Sequence, residues 1–138
     1  MLNYCLWSLS SISDGDICQI QEVLNLNCTK KILEMIDQDD MEITSSCLKI
    51  IGNLLTGCDK QNQILLEEGI IGALAPLLEH QNKIIRRDTV WAFSNILAGN
   101  HIQIDLVFKY NDGEIIEKLF NMIEVDDIGV TFLYKIIY

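Results

Sequence analysis

Two tryptophans and two asparagines have the types and spacing to do recognition chemistry. Trp91 and Asn95 stand four residues apart, one helical turn, so a helix puts them on one face with Asp88. A helix through residues 41–55 aligns Lys49 with Asn53 in the same way, and one through residues 1–14 aligns Tyr4, Trp7 and Ser11. Opposite each face runs an apolar stripe: Val90, Phe93, Ile96 and Leu97; Cys47, Leu48, Ile51, Leu54 and Leu55; Cys5, Leu6, Leu9 and Ile12. An indole turned away from its core stays in water unless something lies on it. An asparagine amide both donates and accepts. Repeated along a surface, the two make aromatic shelves alternating with amides, which suits an extended peptide. Nearby carboxylates then favour Lys or Arg, through charge and through cation–π contact. The alternative is that adjoining helices cover Trp7 and Trp91 and that the asparagines only cap. Asparagine is unfavourable in mid-helix, and it recurs here at one phase, which favours binding.

Catalytic chemistry has no comparable signal. No phosphate-binding glycine loop, Gly-x-Ser-x-Gly or His-Glu-x-x-His occurs. Asp39-Asp40, Glu67-Glu68 and Asp126-Asp127 fall between helices or at their ends and read as solvated charges. The five cysteines (5, 18, 28, 47 and 58) contain no Cys-x-x-Cys, and His80 and His101 stand far from most of them. They read as small buried or half-buried thiols in a reducing compartment, so neither metal nor cofactor is expected. The net charge of -10 argues against nucleic acid and anionic membrane as partners. Lys30-Lys31 and Arg86-Arg87 are too short for a nucleic-acid footprint, and Arg86 turns toward the packed side. No apolar run approaches a membrane span, and the first residues do not read as a secretory signal.

The elements that must position these residues repeat every 42 positions. Gly15, Gly57 and Gly99 keep that step, as do Gln19, Gln61 and Gln103. So do Leu9/Ile51/Phe93, Ile12/Leu54/Ile96, Val23/Leu65/Val107, Ile32/Leu74/Ile116 and Met35/Leu77/Leu119. Such a period with helical punctuation predicts a solenoid of helix pairs or triplets. Each unit reads as a short first helix (16–24, 60–67, 102–109), a second (30–37, 70–79, 114–123) and a longer third (41–55, 84–98, 127–138). The three in-step glycines are expected as left-handed C-caps. Pro76 should kink or shorten its helix. The chain is expected to begin and end inside a long helix without polar capping units. It therefore reads as a fragment of a longer protein or a reduced relative, marginal or self-associating alone.

At these residues the sequence resembles the importin-α family, armadillo-repeat adaptors for cargo bearing a nuclear localisation signal. Trp7-Ser-Leu-Ser-Ser-Ile-Ser-Asp-Gly15, Leu48-Lys-Ile-Ile-Gly-Asn-Leu-Leu-Thr-Gly57 and Trp91-Ala-Phe-Ser-Asn-Ile-Leu-Ala-Gly-Asn100 are similar to successive third helices of central to late repeats. The resemblance implies an all-α, right-handed armadillo superhelix of about three 42-residue repeats. Residues 1–15 would be the third helix of a preceding repeat, 16–57 and 58–99 repeats, and 100–138 a divergent last repeat. It implies a groove for a Lys/Arg-rich signal peptide, with a major and a minor site bridged by bipartite signals. Trp7 looks like the last shelf of the major site. Lys49 stands where the family usually has Arg, keeping the charge without the planar fork. The minor site would start at Asn53. Thr56, Gly57, Asp59 and Asn62 look like its lysine-receiving loop, and Asp88, Trp91, Ser94 and Asn95 like its shelf and amide.

The resemblance also implies shuttling between cytoplasm and nucleus. Importin-β would be a partner only in a full-length relative, because the basic segment that binds it is missing from this sequence. The step of 42 from Trp91 and Asn95 lands on Leu133 and Ile137, which do not fit. A one-residue insertion within 124–129 aligns Tyr134 and Tyr138 instead, and either way a second minor-site tryptophan is missing. The other reading is an armadillo scaffold with a different partner.

Overall fold

The computed structural model describes residues 1–36, 38 and 40–126. The expected last helix, 127–138, with Leu133, Tyr134, Ile137 and Tyr138, lies outside them. The described residues form nine α-helices: α1 (Leu2–Ser13), α2 (Ile17–Asn25), α3 (Thr29–Met35), α4 (Met41–Leu54), α5 (Asp59–Glu67), α6 (Ile70–Leu74), α7 (Lys83–Leu97), α8 (His101–Lys109) and α9 (Glu114–Asp126). The expected first, second and third helices of each unit are all present where described; the first and third keep their ends within about a residue, while the second helices end at 35, 74 and 126 rather than 37, 79 and 123.

The helix starts repeat as faithfully as the core. Asp16 caps α2, its carboxylate accepting from the amides of Cys18 at 2.9 Å and Gln19 at 3.0 Å. Asn100, two steps on, caps α8 through Ile102 and Gln103. Asp40 caps α4 and Asn82, one step on, caps α7. Each side-chain oxygen satisfies amides that the first helical turn leaves unpaired. Pro76 acts as its ring predicts. Lacking an N–H, it ends α6 at Leu74, and Ala75–Glu79 continues as a 3-10 turn.

Two expectations need correction. Gly15, Gly57 and Gly99 are not left-handed caps, since only Gly69 and Gly113 among the described glycines have positive φ. They make room instead: a Cβ on any of the three would overlap the side chain of Gln19, Gln61 or Gln103 respectively. The left-handed step falls between the first and second helices, at Asn27 (φ 51°), Gly69 (φ 87°) and Asn111 (φ 44°). These are again 42 apart, and Asn and Gly are the residues that tolerate it.

The long helices stack in order, with α4 packed between α1 and α7. Ile51, Leu54, Phe93 and Ile96 are fully buried in this layer, as are Leu65 and Val107 beneath the first helices. Cys5 and Ile12, placed in the packed stripe from sequence, are exposed, Ile12 by 52%. Their counterparts Cys47 and Leu54 are buried because α4 has a long helix on both sides. Arg86 does not bridge to another long helix through its Nη1. It donates to the carbonyls of His80 at 2.7 Å and Gln81 at 3.0 Å, securing the turn before α7. The described cysteines are free thiols. Cys47 is buried and Cys28 and Cys58 half-buried, but Cys5 and Cys18 are exposed because they sit on first-copy positions that no helix covers.

Candidate peptide groove on the long helices

The stacking of α1, α4 and α7 repeats one set of contacts at a fixed step. The Asn53 Nδ2 donates to the Ser10 carbonyl at 3.1 Å and to the Ser13 hydroxyl at 3.2 Å. The Asn95 Nδ2 donates to the Gly52 carbonyl at 3.2 Å. Both bonds reach 43 residues back, so each asparagine ties its long helix to the one before. Glutamines do the same among the first helices. Gln61 Nε2 donates to the Ile17 carbonyl at 2.9 Å, and Gln103 Nε2 to the Asp59 carbonyl at 2.8 Å.

The asparagines therefore sit in the seam between long helices, 5% and 7% exposed, rather than out on a free face. A helical wheel treats each helix alone and cannot see that the next helix reaches this side. The indoles stand further out. Trp7 is 69% exposed and Trp91 36%, at the same register two repeats apart. Lys49 holds that register between them, exposed and without a carboxylate partner among the described residues. Trp7, Lys49 and Trp91 thus form one row, with Asn53 and Asn95 at its base.

The remaining candidates divide. Ser94 is buried, its hydroxyl donating to the Trp91 carbonyl at 2.7 Å. Asn62 is buried where the equivalent positions carry Ile20 and Ile104, and its Oδ1 finds no hydrogen-bond partner. The structure does not bring it to the row's surface. Thr56 is exposed and donates to the Asn53 carbonyl at 2.7 Å. Gly57 is half-buried against Gln61. Asp59 is exposed and accepts from Asn100 Nδ2 at 3.2 Å. Asp88 pairs with the adjacent Arg87 at 3.0 Å. That exposed pair costs little to open for a competing cation.

Several contributors were not singled out from sequence. Ser10, Ser13 and Gly52 receive the asparagine amides or seat the tryptophan. For Ser10 and Gly52 the signal was a run of small residues at one register, Ser10, Gly52 and Ser94. Beside Trp7 a cleft of about 520 Å³ is lined by Met1, Asn3, Tyr4, Trp7, Glu42 and Ser46. Asn3 Nδ2 donates to Glu42 Oε2 at 2.6 Å, which holds a carboxylate among the rings. Glu42 is far from Trp7 in sequence, so only the α1–α4 packing shows the pairing. Among the described residues no group of three His, Cys, Asp or Glu could hold a metal, and no helix is long and apolar enough to cross a membrane.

Stacked helical triplets, repeated asparagine and glutamine ladders and a 42-residue step define an armadillo-type solenoid. The family model for the ELMO armadillo-like helical domain matches residues 1–103, and the chain belongs to that armadillo-like helical family. Within the armadillo class it is importin-α-like. Importin subunit alpha-1a of Oryza sativa subsp. japonica is 31% identical over 110 residues, 79% of this chain and 21% of the relative. Importin subunit alpha-4 of Arabidopsis thaliana is 33% identical over 108 residues, 78% of this chain and 20% of the relative. The chain thus spans about a fifth of the curated relatives it matches. Among solved structures, a computationally designed armadillo repeat protein for modular peptide recognition superposes with a TM-score of 0.73 at 28% identity. That match covers 85% of this chain and 46% of the other. A second designed armadillo repeat protein gives a TM-score of 0.74 at 27% identity, over 99% and 63% of the two chains.

Proposed function

We propose that this chain binds basic peptides of the nuclear-localisation type along the row of Trp7, Lys49 and Trp91, as a stretch of an import adaptor's groove. The observation that carries the reading is the exposure of two indoles at one register of the stacked long helices. Each offers an aromatic face to an aliphatic stem or a cationic head. Carboxylates stand near both ends: Glu42 in the Trp7 cleft, and Asp88 one turn before Trp91, with Asp59 exposed beyond the end of α7 beside Asn100. Because the Asn53 Nδ2 is committed to two acceptors in the seam, a peptide N–H beside it would be received by its side-chain oxygen. Lys49 repels a basic side chain at the middle of the row, so peptide cations would cluster at its two ends.

The importin-α relatives support this partner class, and the division into repeats at 15/16, 57/58 and 99/100 goes with it. So do shuttling between cytoplasm and nucleus, and importin-β as a partner in a full-length relative. The function is adaptor binding rather than catalysis. A second reading, an armadillo scaffold for another partner, is favoured by Lys49, whose charge has no carboxylate partner among the described residues and also suits an acidic segment. Isothermal titration of a Lys-rich peptide tests the choice. Trp91→Ala should weaken binding by about tenfold, and Asn95→Ala should weaken it too. Unchanged affinity in both variants would remove the groove reading.

A further inference from the structure

The long helices carry a small buried residue at one register: Ser10, Gly52 and Ser94. Glycine inside a helix is unfavourable, and the α4 backbone at residue 52 has no positive φ that would demand it. The demand comes from the next repeat. A Cβ at residue 52 would lie 2.5 Å from Trp91 Cε3 and closer still to Cζ3, so the indole occupies the place of the missing side chain. The carbonyl of the same residue accepts the Asn95 amide. One repeat earlier the Ser10 carbonyl accepts Asn53 in the same way, but the residue in the tryptophan register is Lys49, exposed. The small residue thus matches the side chain 39 positions later: serine precedes lysine, and glycine precedes tryptophan.

We infer that Gly52 is a positioning residue that seats the Trp91 indole on α4 and so decides whether the groove offers an aromatic shelf at this repeat. A cation bonds a ring only when it sits over the face, within about 6 Å of its centre. An indole lifted off α4 by a methyl group no longer presents that face beside Asn95. The binding consequence rests on the peptide-groove reading; the seat itself does not.

The test uses Gly52→Ala and Gly52→Ser in the full chain, with Trp7→Phe so that emission reports Trp91 alone. Each should shift Trp91 emission and raise its quenching by acrylamide, and each should weaken a Lys-rich peptide by about tenfold relative to the Trp7→Phe parent. The double variant Gly52→Ser with Trp91→Lys reproduces the Ser10 and Lys49 pairing. It should fold, and Gly52→Ser should cost less stability beside Lys than beside Trp, a non-additive cycle. Unmoved Trp91 emission and quenching in Gly52→Ala, additive substitutions, or a double variant that fails to fold would each overturn the seat. If the chain with both tryptophans binds no peptide, the groove reading falls, while emission and the cycle still decide the seat.

Discussion

Asn53 shows how one side chain can hold a scaffold together and still stand in a proposed site. Its amide nitrogen bridges two acceptors on α1, while no donor among the described residues reaches its Oδ1. Asn53→Ala leaves the Ser10 carbonyl and Ser13 hydroxyl short of a buried partner. It should lower stability by about 1–2 kcal/mol in urea unfolding, besides any effect on peptide; an unchanged midpoint would mean the seam bond contributes nothing. The residue type and phase were legible from sequence, but the partner was not, because a bond across 43 residues has no local trace. Cys47 makes a second case at this scale. Burial pushes the pKa of its thiol up to about 11, from an ordinary 9.0. The folded chain therefore holds a proton that the unfolded chain releases above pH 9. Stability should fall between pH 9 and 11, by at most about 1.4 kcal/mol per unit from this group. Comparing Cys47→Ala with the parent across that range measures the slope. In the same chain Cys5 and Cys18 should react with a thiol reagent before Cys47 does.

Elements carry the repeat through paired choices. Each glycine ending a long-helix segment leaves space for a glutamine four residues on, and that glutamine bonds its own cap or the preceding first helix. Gly57→Ala would displace the Gln61 side chain from both the Cys58 amide and the Ile17 carbonyl. A loss of about 1–3 kcal/mol is expected by thermal or urea unfolding. Gln61→Ala should lose a similar amount, and the two should not add. Helix order and approximate ends were legible because the apolar period, the caps at Asp16 and Asn100 and Pro76 act locally. The reason for the glycines was misjudged. Glycine after a helix ordinarily signals a left-handed cap, and here the left-handed step lies instead at Asn27, Gly69 and Asn111. That triplet also stood in the sequence at the 42-residue step, and reading Asn and Gly as equivalents at one register would have found it.

At the scale of the molecule, the 42-residue period made a helical solenoid legible, since each unit buries its apolar face by stacking on the next, and the resemblance of the long-helix segments to importin-α implied the armadillo class. The groove was legible in part. Its rings and amides could be placed on one side of each long helix, but Glu42, Gly52 and Ser10 join it only through the packing of one repeat on the next. The charge of -10 gives the surface a long-range pull on basic peptides. That pull should weaken as the screening length falls from about 30 Å at 0.01 M salt to about 8 Å at 0.15 M. Titrating a fluorescent Lys-rich peptide into the chain at low salt, beside a control with its lysines replaced by glutamine, tests the central claim most directly. Saturable binding at micromolar peptide or below, confined to the Lys-rich form and reduced by Trp91→Ala, is the predicted result. Equal binding of both peptides, or none at low salt, would contradict it.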